Sequence, residues 1–149
     1  MTNQRGFSLF ELMVVMMLVV MMVGVAAVSV SRSIGGAQLR ETAREITAAM
    51  RHTRGLAVVN RQEQIFLVDA DEKTWQAAGR EPKKLPEDLD ITLTTARSEL
   101  TGENAGGIRF YPDGASTGGR VVLSTEGREW HITVAWLTGE IRRDRGDDQ

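Results

Sequence analysis

Leu12–Ser31 runs for twenty residues without a charged side chain, and no other feature constrains this chain so tightly. A helix that is apolar on every side is stable only in lipid or in a packed interior, and about twenty apolar residues suffice to cross a bilayer. Between Leu12 and Val30 only Gly24 and Ser29 interrupt the run. Glu11 stands at its leading edge. A carboxylate in a membrane segment costs roughly 2.5–3.5 kcal/mol at a helix centre, and such a residue is functional by default. Glu11 therefore calls for a cationic partner.

Two ordinary explanations fall short. A secretory signal has an apolar core of about 7–15 residues and a small-residue cleavage site. Ala26-Ala27 would serve as such a site, but the run is too long and opens with an acid. A simple membrane anchor accounts for the length and leaves Glu11 and the Gly6-Phe7 junction unexplained. The stretch Gly6-Phe7-Ser8-Leu9-Phe10-Glu11-Leu12, behind the short leader Met1–Gly6 with its Arg5, resembles the prepilin-type signal of the type IV pilin and pseudopilin superfamily. Ser8 stands where Thr is commoner and keeps the hydroxyl. The resemblance implies cleavage after Gly6 by a prepilin peptidase and methylation of the new Phe7 amine. It implies a role for Glu11 in assembly. In lipid the carboxylate and the Phe7 ammonium are each poorly solvated, so pairing offsets a cost neither could bear alone. The amine belongs either to the same helix, four residues away, or to a neighbouring subunit.

The resulting division is a leader at 1–6, a transmembrane or filament-core helix at 7–31, and a periplasmic domain at 32–149. Within that domain an amphipathic helix is expected at about 37–58 and a β-rich region at about 64–143. The full chain has 149 residues and a formal charge of −2; loss of the leader leaves 17 basic and 20 acidic residues, or −3. This is not a polycation, and no nucleic-acid partner is expected. The roughly 110 residues beyond the anchor suffice for one small core. Cysteine is absent, which excludes a disulfide framework and thiolate chemistry. No repeat of solenoid or propeller period is present.

Leu39, Ala43, Ile46, Met50, Thr53 and Ala57 recur at spacings of three and four, the signature of one buried helical stripe. Arg40, Glu41, Arg44, Glu45, Arg51 and Arg54 fall largely elsewhere. If the two segments form one helix from Phe7 to about Val58, it is roughly 78 Å long. Gly35-Gly36 weakens it and favours a bend. After Asn60 the helical period ends. Ile65–Val68 and Thr74–Ala77 flank a turn and predict a hairpin. Arg80–Asp88 reads as a connection, and Leu89, Ile91 and Leu93 alternate as in a half-buried strand. Ala96–Gly107, polar and glycine-bearing, is expected to be a long mobile loop. Ile108 and Phe110 share one face, Pro112-Asp113-Gly114 marks a turn, and Val121 and Leu123 share another face. Trp130, Ile132, Val134 and Trp136 alternate along a strand, which puts both tryptophans in the core. Thr138-Gly139 permits a turn before Glu140–Arg143, and Gly146–Gln149 is expected to fray. The fold class is α+β: a long N-terminal helix on a mainly antiparallel β domain.

Ile108-Arg109-Phe110-Tyr111-Pro112-Asp113-Gly114-Ala115-Ser116-Thr117-Gly118-Gly119, with Trp136-Leu137-Thr138-Gly139, resembles the GspH branch of the pseudopilins, the type II secretion system protein H family. Residues 60–106 add little to that likeness. It implies a pilin-like fold with two sheets and a minor subunit near the tip of the periplasmic pseudopilus. That filament is rooted in the bacterial inner membrane, where the chain crosses once with its C-terminal domain in the periplasm. Its implied partners are the other pseudopilins, major and minor, and its implied role is the export of folded exoproteins across the outer membrane. The alternative is a minor pilin of a type IV pilus, serving pilus assembly or DNA uptake. The anchor lacks the mid-helix proline usual in major pilins.

Other constellations have plainer explanations. Pro112-Asp113-Gly114 with Gly118-Gly119 lacks the lysine and the strand-to-helix context of a phosphate loop. His52 and His131 lack a ligand cluster. Asp69, Asp71 and Glu72 do not have the spacing of a calcium loop, and a hairpin turn explains them better. Arg142, Arg143 and Arg145 would suit phosphates, but Asp144, Asp147 and Asp148 interleave with them and largely cancel their field. No nucleophile–base pair stands out, so neither an enzymatic activity nor a cofactor is expected.

Overall fold

The computed structural model describes residues 9–102 and 104–146, with the side chains of 24–34 excepted. The chain divides into two units, one ending at Ile34 and one beginning at Gly35. A single helix, α1 (Leu9–Asn60), contributes to both. Eight strands follow: β1 (Gln64–Asp69), β2 (Thr74–Gln76), β3 (Lys83–Lys84), β4 (Asp90–Thr95), β5 (Ala105–Phe110), β6 (Gly119–Thr125), β7 (Arg128–Val134) and β8 (Ile141–Arg145). They form two four-stranded sheets, ordered β3-β2-β1-β5 and β4-β6-β7-β8. All strand pairs are antiparallel.

In the first unit the described side chains from Leu9 to Val23 are exposed on every side of the helix. Among the described residues, no helix is long and apolar enough to cross a membrane. The expected span at 7–31 lies partly outside them, as do Gly6 and Phe7.

In the second unit the helical stripe does what its period predicts. Leu39, Ala43, Ile46, Met50, Thr53 and Ala57 are all fully buried. The five apolar ones join Phe66, Val68, Ile91, Ile108, Phe110, Val121, Leu123 and Ile132 in one apolar cluster fed by both sheets. Burying a Leu, Ile, Phe or Met side chain contributes about 1.5–3 kcal/mol each. The one polar residue of the stripe is satisfied: Thr53 Oγ1 donates to Ala49 O at 2.9 Å and accepts from Ala78 N at 3.2 Å. The sheets meet where Thr95 Oγ1, at the end of β4, donates to Gly107 O in β5 at 2.8 Å.

Three expectations need correction. Residues 96–107 are not one long loop. Arg97–Glu99 form a 3₁₀ turn, Leu100 bridges to Gly106, and β5 starts at Ala105. Two of the segment's three glycines, Gly106 and Gly107, are strand residues at crowded positions: a Cβ on Gly106 would lie 2.9 Å from Glu99 O, and one on Gly107 2.6 Å from Ile65 Cγ2. Trp136 is not in the core. The strand ends at Val134, two residues earlier, and Trp136 is 69% exposed while Trp130 is half-buried. Finally, Arg80–Asp88 carries a strand of its own, β3, paired with β2; Lys83 in it also meets Glu45 of α1. Gly35 and Gly36 are both helical residues of α1. Gly36 leaves room for Arg128, whose Nη1 would lie 1.8 Å from a Cβ there. The expected fraying at Gly146–Gln149 falls mostly outside the described residues.

Candidate assembly and processing site

Glu11 lies in the first turn of α1 and is exposed, among exposed apolar neighbours that include Phe10, Leu12 and Val15. The amide groups of a helix's first turn carry partial positive charge, so an acid is favoured there. Its side chain sits at the start of a wholly apolar surface. Monomeric soluble proteins rarely expose apolar patches of more than a few hundred Å², and this helix surface needs lipid or protein to cover it.

The second element of the site is a clasp formed by distant segments. Arg54, on the flank of the buried stripe, reaches off the helix into two turns. Its Nε donates to Gly114 O at 3.0 Å and its Nη2 to Thr138 O at 3.0 Å. The first turn is closed by Gly114 N donating to Tyr111 O, Tyr111 N to Ala115 O, and Ala115 N to Asp113 Oδ1, each at 2.9 Å. The second is closed by Gly139 N donating to Ala135 O at 2.8 Å. Ser116 ties the two together: its N donates to Trp136 O at 2.8 Å and its Oγ to Ala135 O at 3.0 Å. The turns approach so closely that a Cβ on Gly139 would lie 2.2 Å from Gly114 O, and Gly139 also has a φ of +60°. Only glycine fits both demands. The clasp holds Trp136 and Leu137 outward, 69% and 66% exposed.

Sequence reasoning marked the two turns and missed Arg54, because both acceptors are backbone carbonyls far along the chain, and no local pattern announces them. It also missed Arg109, which joins Glu99 (Nε–Oε1, 3.2 Å) and Glu63 (Nη1–Oε2, 3.0 Å). The hydrogen bond with Glu99 leads in holding Arg109 above the usual arginine range, with burial opposing it.

The remaining polar groups serve local structure. Asp69 Oδ1, at the end of β1, accepts from Glu72 N at 2.9 Å, and Asp71 Oδ1, in the turn that follows, accepts from Asn104 Nδ2 at 2.9 Å. His131 lies 3.3 Å from Glu129 Oε2, and His52 is exposed on α1. Among the described residues, no group of three potential ligands could hold a metal ion. Pro112–Gly114 opens a hairpin-like return into β6, not a helix, so it offers no phosphate cradle.

Comparison with known proteins decides the family. Residues 42–138 match the model of the type II transport protein GspH, and residues 1–27 match the prokaryotic N-terminal methylation motif. The type II secretion system protein H of Xanthomonas campestris pv. campestris is 37% identical over 138 residues, covering 93% of this chain and 82% of that protein. The chain belongs to the GspH family. GspH-family chains are minor pseudopilins of type II secretion, structural subunits and not enzymes. The methylation motif implies processing by a prepilin peptidase, anchoring in the inner membrane and assembly into a pilus-type filament. Among solved structures, the minor pseudopilin EpsH from the type II secretion system of Vibrio cholerae shares the fold with a TM-score of 0.57 at 16% identity, over 74% of this chain and 99% of that one. The type IV minor pilin FimU of Pseudomonas aeruginosa matches at 0.50 and 15%, over 70% and 91%. Both show the pilin-like α+β architecture. The GspH match ends at Thr138, so it takes in Arg54, Gly114 and the carbonyl that receives Arg54 Nη2, and stops just before Gly139.

Proposed function

We propose that this GspH-family chain is a minor subunit near the tip of the periplasmic pseudopilus, where filament growth drives folded exoproteins across the outer membrane. In this reading 1–6 is a leader removed after Gly6, 7–31 is the membrane and filament-core helix, and 32–149 is the periplasmic domain. Phe7 becomes the methylated N-terminal residue. Glu11 pairs with a Phe7 ammonium, its own or that of a neighbour, and so gives each arriving subunit attraction and register. The other pseudopilins are its partners, the prepilin peptidase is its processing enzyme, and nucleic acid is not a partner.

The observation that carries this reading is the apolar surface of α1 from Leu9 to Val23, exposed all round with a carboxylate in its first turn. An all-apolar helix with one acid at its start suits a segment that passes from lipid into a packed filament. The likeness to a type IV minor pilin concerns the fold alone, whereas the 37% identical relative is a type II secretion protein. The test is exoprotein release from an in-frame deletion strain with and without complementation. Folded enzymes trapped in the periplasm, and freed on complementation, are expected. Normal release from the deletion strain would overturn the secretion reading in favour of a pilus role.

A further inference from the structure

Arg40, Arg44 and Arg51 of α1 face Arg143 and Arg145 of β8 across a cleft made of two adjoining hollows of about 490 and 450 Å³. Of the three interleaved acids expected to cancel this charge, Asp147 and Asp148 lie outside the described residues, and the pleat of β8 sets Asp144 apart from Arg143 and Arg145. Arg143 and Arg145 stand opposite Ile132 and Trp130, while Asp144 stands opposite His131 on the alternate face. Both guanidinium groups lie over the Trp130 ring, at 4.9 and 5.9 Å from its centre. Among the described residues, Arg40, Arg51, Arg143 and Arg145 form no ion pair. Glu41 reaches only Arg44, at 3.8 Å, and Glu140 is held by Arg142. Among the described residues, Asp144 is the one acid that lines the cleft, beside six arginines. Burial, and then the like charges of Arg44, Arg51 and Arg40, push the Arg143 guanidinium below the usual arginine range. Crowded like charges cost stability. Charged residues on a sheet edge are a common guard against aggregation, but that purpose does not call for Arg143, half-buried and laid over Trp130.

The same cleft borders an open sheet edge. β8 is the last strand of β4-β6-β7-β8, and among the described residues its outer side has no backbone partner. Thr47 and Ala48, two small residues of α1, leave space beside it. A polypeptide can satisfy both the donors and the acceptors of such an edge; a phosphate backbone offers acceptors only. We propose that this cleft docks an acidic, extended segment of a neighbouring filament subunit, whose backbone adds to the edge of β8 and whose carboxylates meet the arginines. The proposal rests on the reading of the chain as a filament subunit, which supplies the neighbour.

The test uses the intact processed chain in detergent micelles and a fluorescent peptide alternating glutamate with valine and threonine. Binding that falls steeply with salt is expected, since the Debye length shrinks from about 10 Å at 0.1 M to about 3 Å at 1 M. Arg51→Gln with Arg143→Gln should weaken it by about tenfold or more, and Arg120→Gln, outside the cleft, should leave it unchanged. The glutamine counterpart of the peptide, and an acidic peptide interrupted by prolines, should both bind weakly. Absence of binding at low salt, indifference to the Arg51/Arg143 pair, equal binding of the proline-bearing peptide, or tighter binding of a short DNA duplex would each overturn the proposal. N-terminal sequencing separates the two readings. If the filament reading fails, the chain is not cut after Gly6; if only the docking fails, cutting persists and the peptide does not bind.

Discussion

Arg54 Nη2 lies 3.0 Å from the carbonyl oxygen of Thr138, 84 residues further along the chain. Through that bond and its twin to Gly114, the helix fixes two turns that are otherwise held by their own short hydrogen bonds and by Ser116. The exposed Trp136-Leu137 pair is thereby presented by a stiff support.

Loss of the clasp should be costly for a surface residue. Arg54→Ala removes two charge-assisted hydrogen bonds, each typically contributing about 1.5–3 kcal/mol, and should lower the thermal midpoint measurably. Arg54→Lys retains the charge but not the fork, and should recover only part of the loss. A lysine variant as stable as the parent would mean that geometry is unimportant here.

Two glycines with similar backbone angles should respond differently. Gly127 and Gly139 have φ of +70° and +60°, but a Cβ on Gly127 meets nothing within 4 Å while one on Gly139 meets Gly114 O at 2.2 Å. Gly127→Ala should cost about 1–2 kcal/mol from the left-handed backbone alone. Gly139→Ala should cost clearly more in urea denaturation. Equal losses would refute the close approach of the two turns.

Glu99 is nearly buried, with 7% of its side chain exposed, and it receives a hydrogen bond from Arg109. Glu99→Gln leaves a half-buried cation with only Glu63 as acid partner and should destabilise by about 1–3 kcal/mol. A double-mutant cycle with Arg109→Gln should return a coupling well above that of an exposed pair. A coupling near zero would reassign the pair to solvated surface.

Glu140 offers a pH signature. Hydrogen bonds from Arg142 hold its carboxyl below the usual range. A carboxyl with a lowered folded-state pKa stabilises the fold above its unfolded pKa and loses that contribution as pH falls through the lowered value. The pair is solvent-exposed and screened, so the effect should be slight: Glu140→Gln should make the acid limb of a urea midpoint–pH profile shallower. A steeper limb would contradict the assigned direction.

Glu11→Leu separates processing from assembly. Cleavage after Gly6 should persist, as judged by N-terminal sequencing, while incorporation into isolated filaments falls. Undiminished incorporation would remove Glu11 from the assembly mechanism.

The sequence by itself determined those parts of this protein that depend on near neighbours. The charge-free run beside Glu11 restricted α1's first half to lipid or a filament core, and the three-and-four spacing from Leu39 to Ala57 picked out its buried face. Both follow from a helix placing residues three and four apart on one side. The alternation of Ile91, Val121, Leu123 and Ile132 located strands, because a pleated strand sorts its side chains by parity. Tertiary structure alone decided what depended on partners far along the chain. Trp136 alternates like a core residue, yet the strand stops before it to let Ser116 and Arg54 bind the following turn. Gly106 and Gly107 look like loop residues until Glu99, Leu100 and Ile65 press against them. Arg143 and Asp144 are neighbours in sequence, but β8 sets Arg143 opposite Ile132 and Asp144 opposite His131, and only the packing of α1 beside β8 brings Arg44 and Arg51 to Arg143.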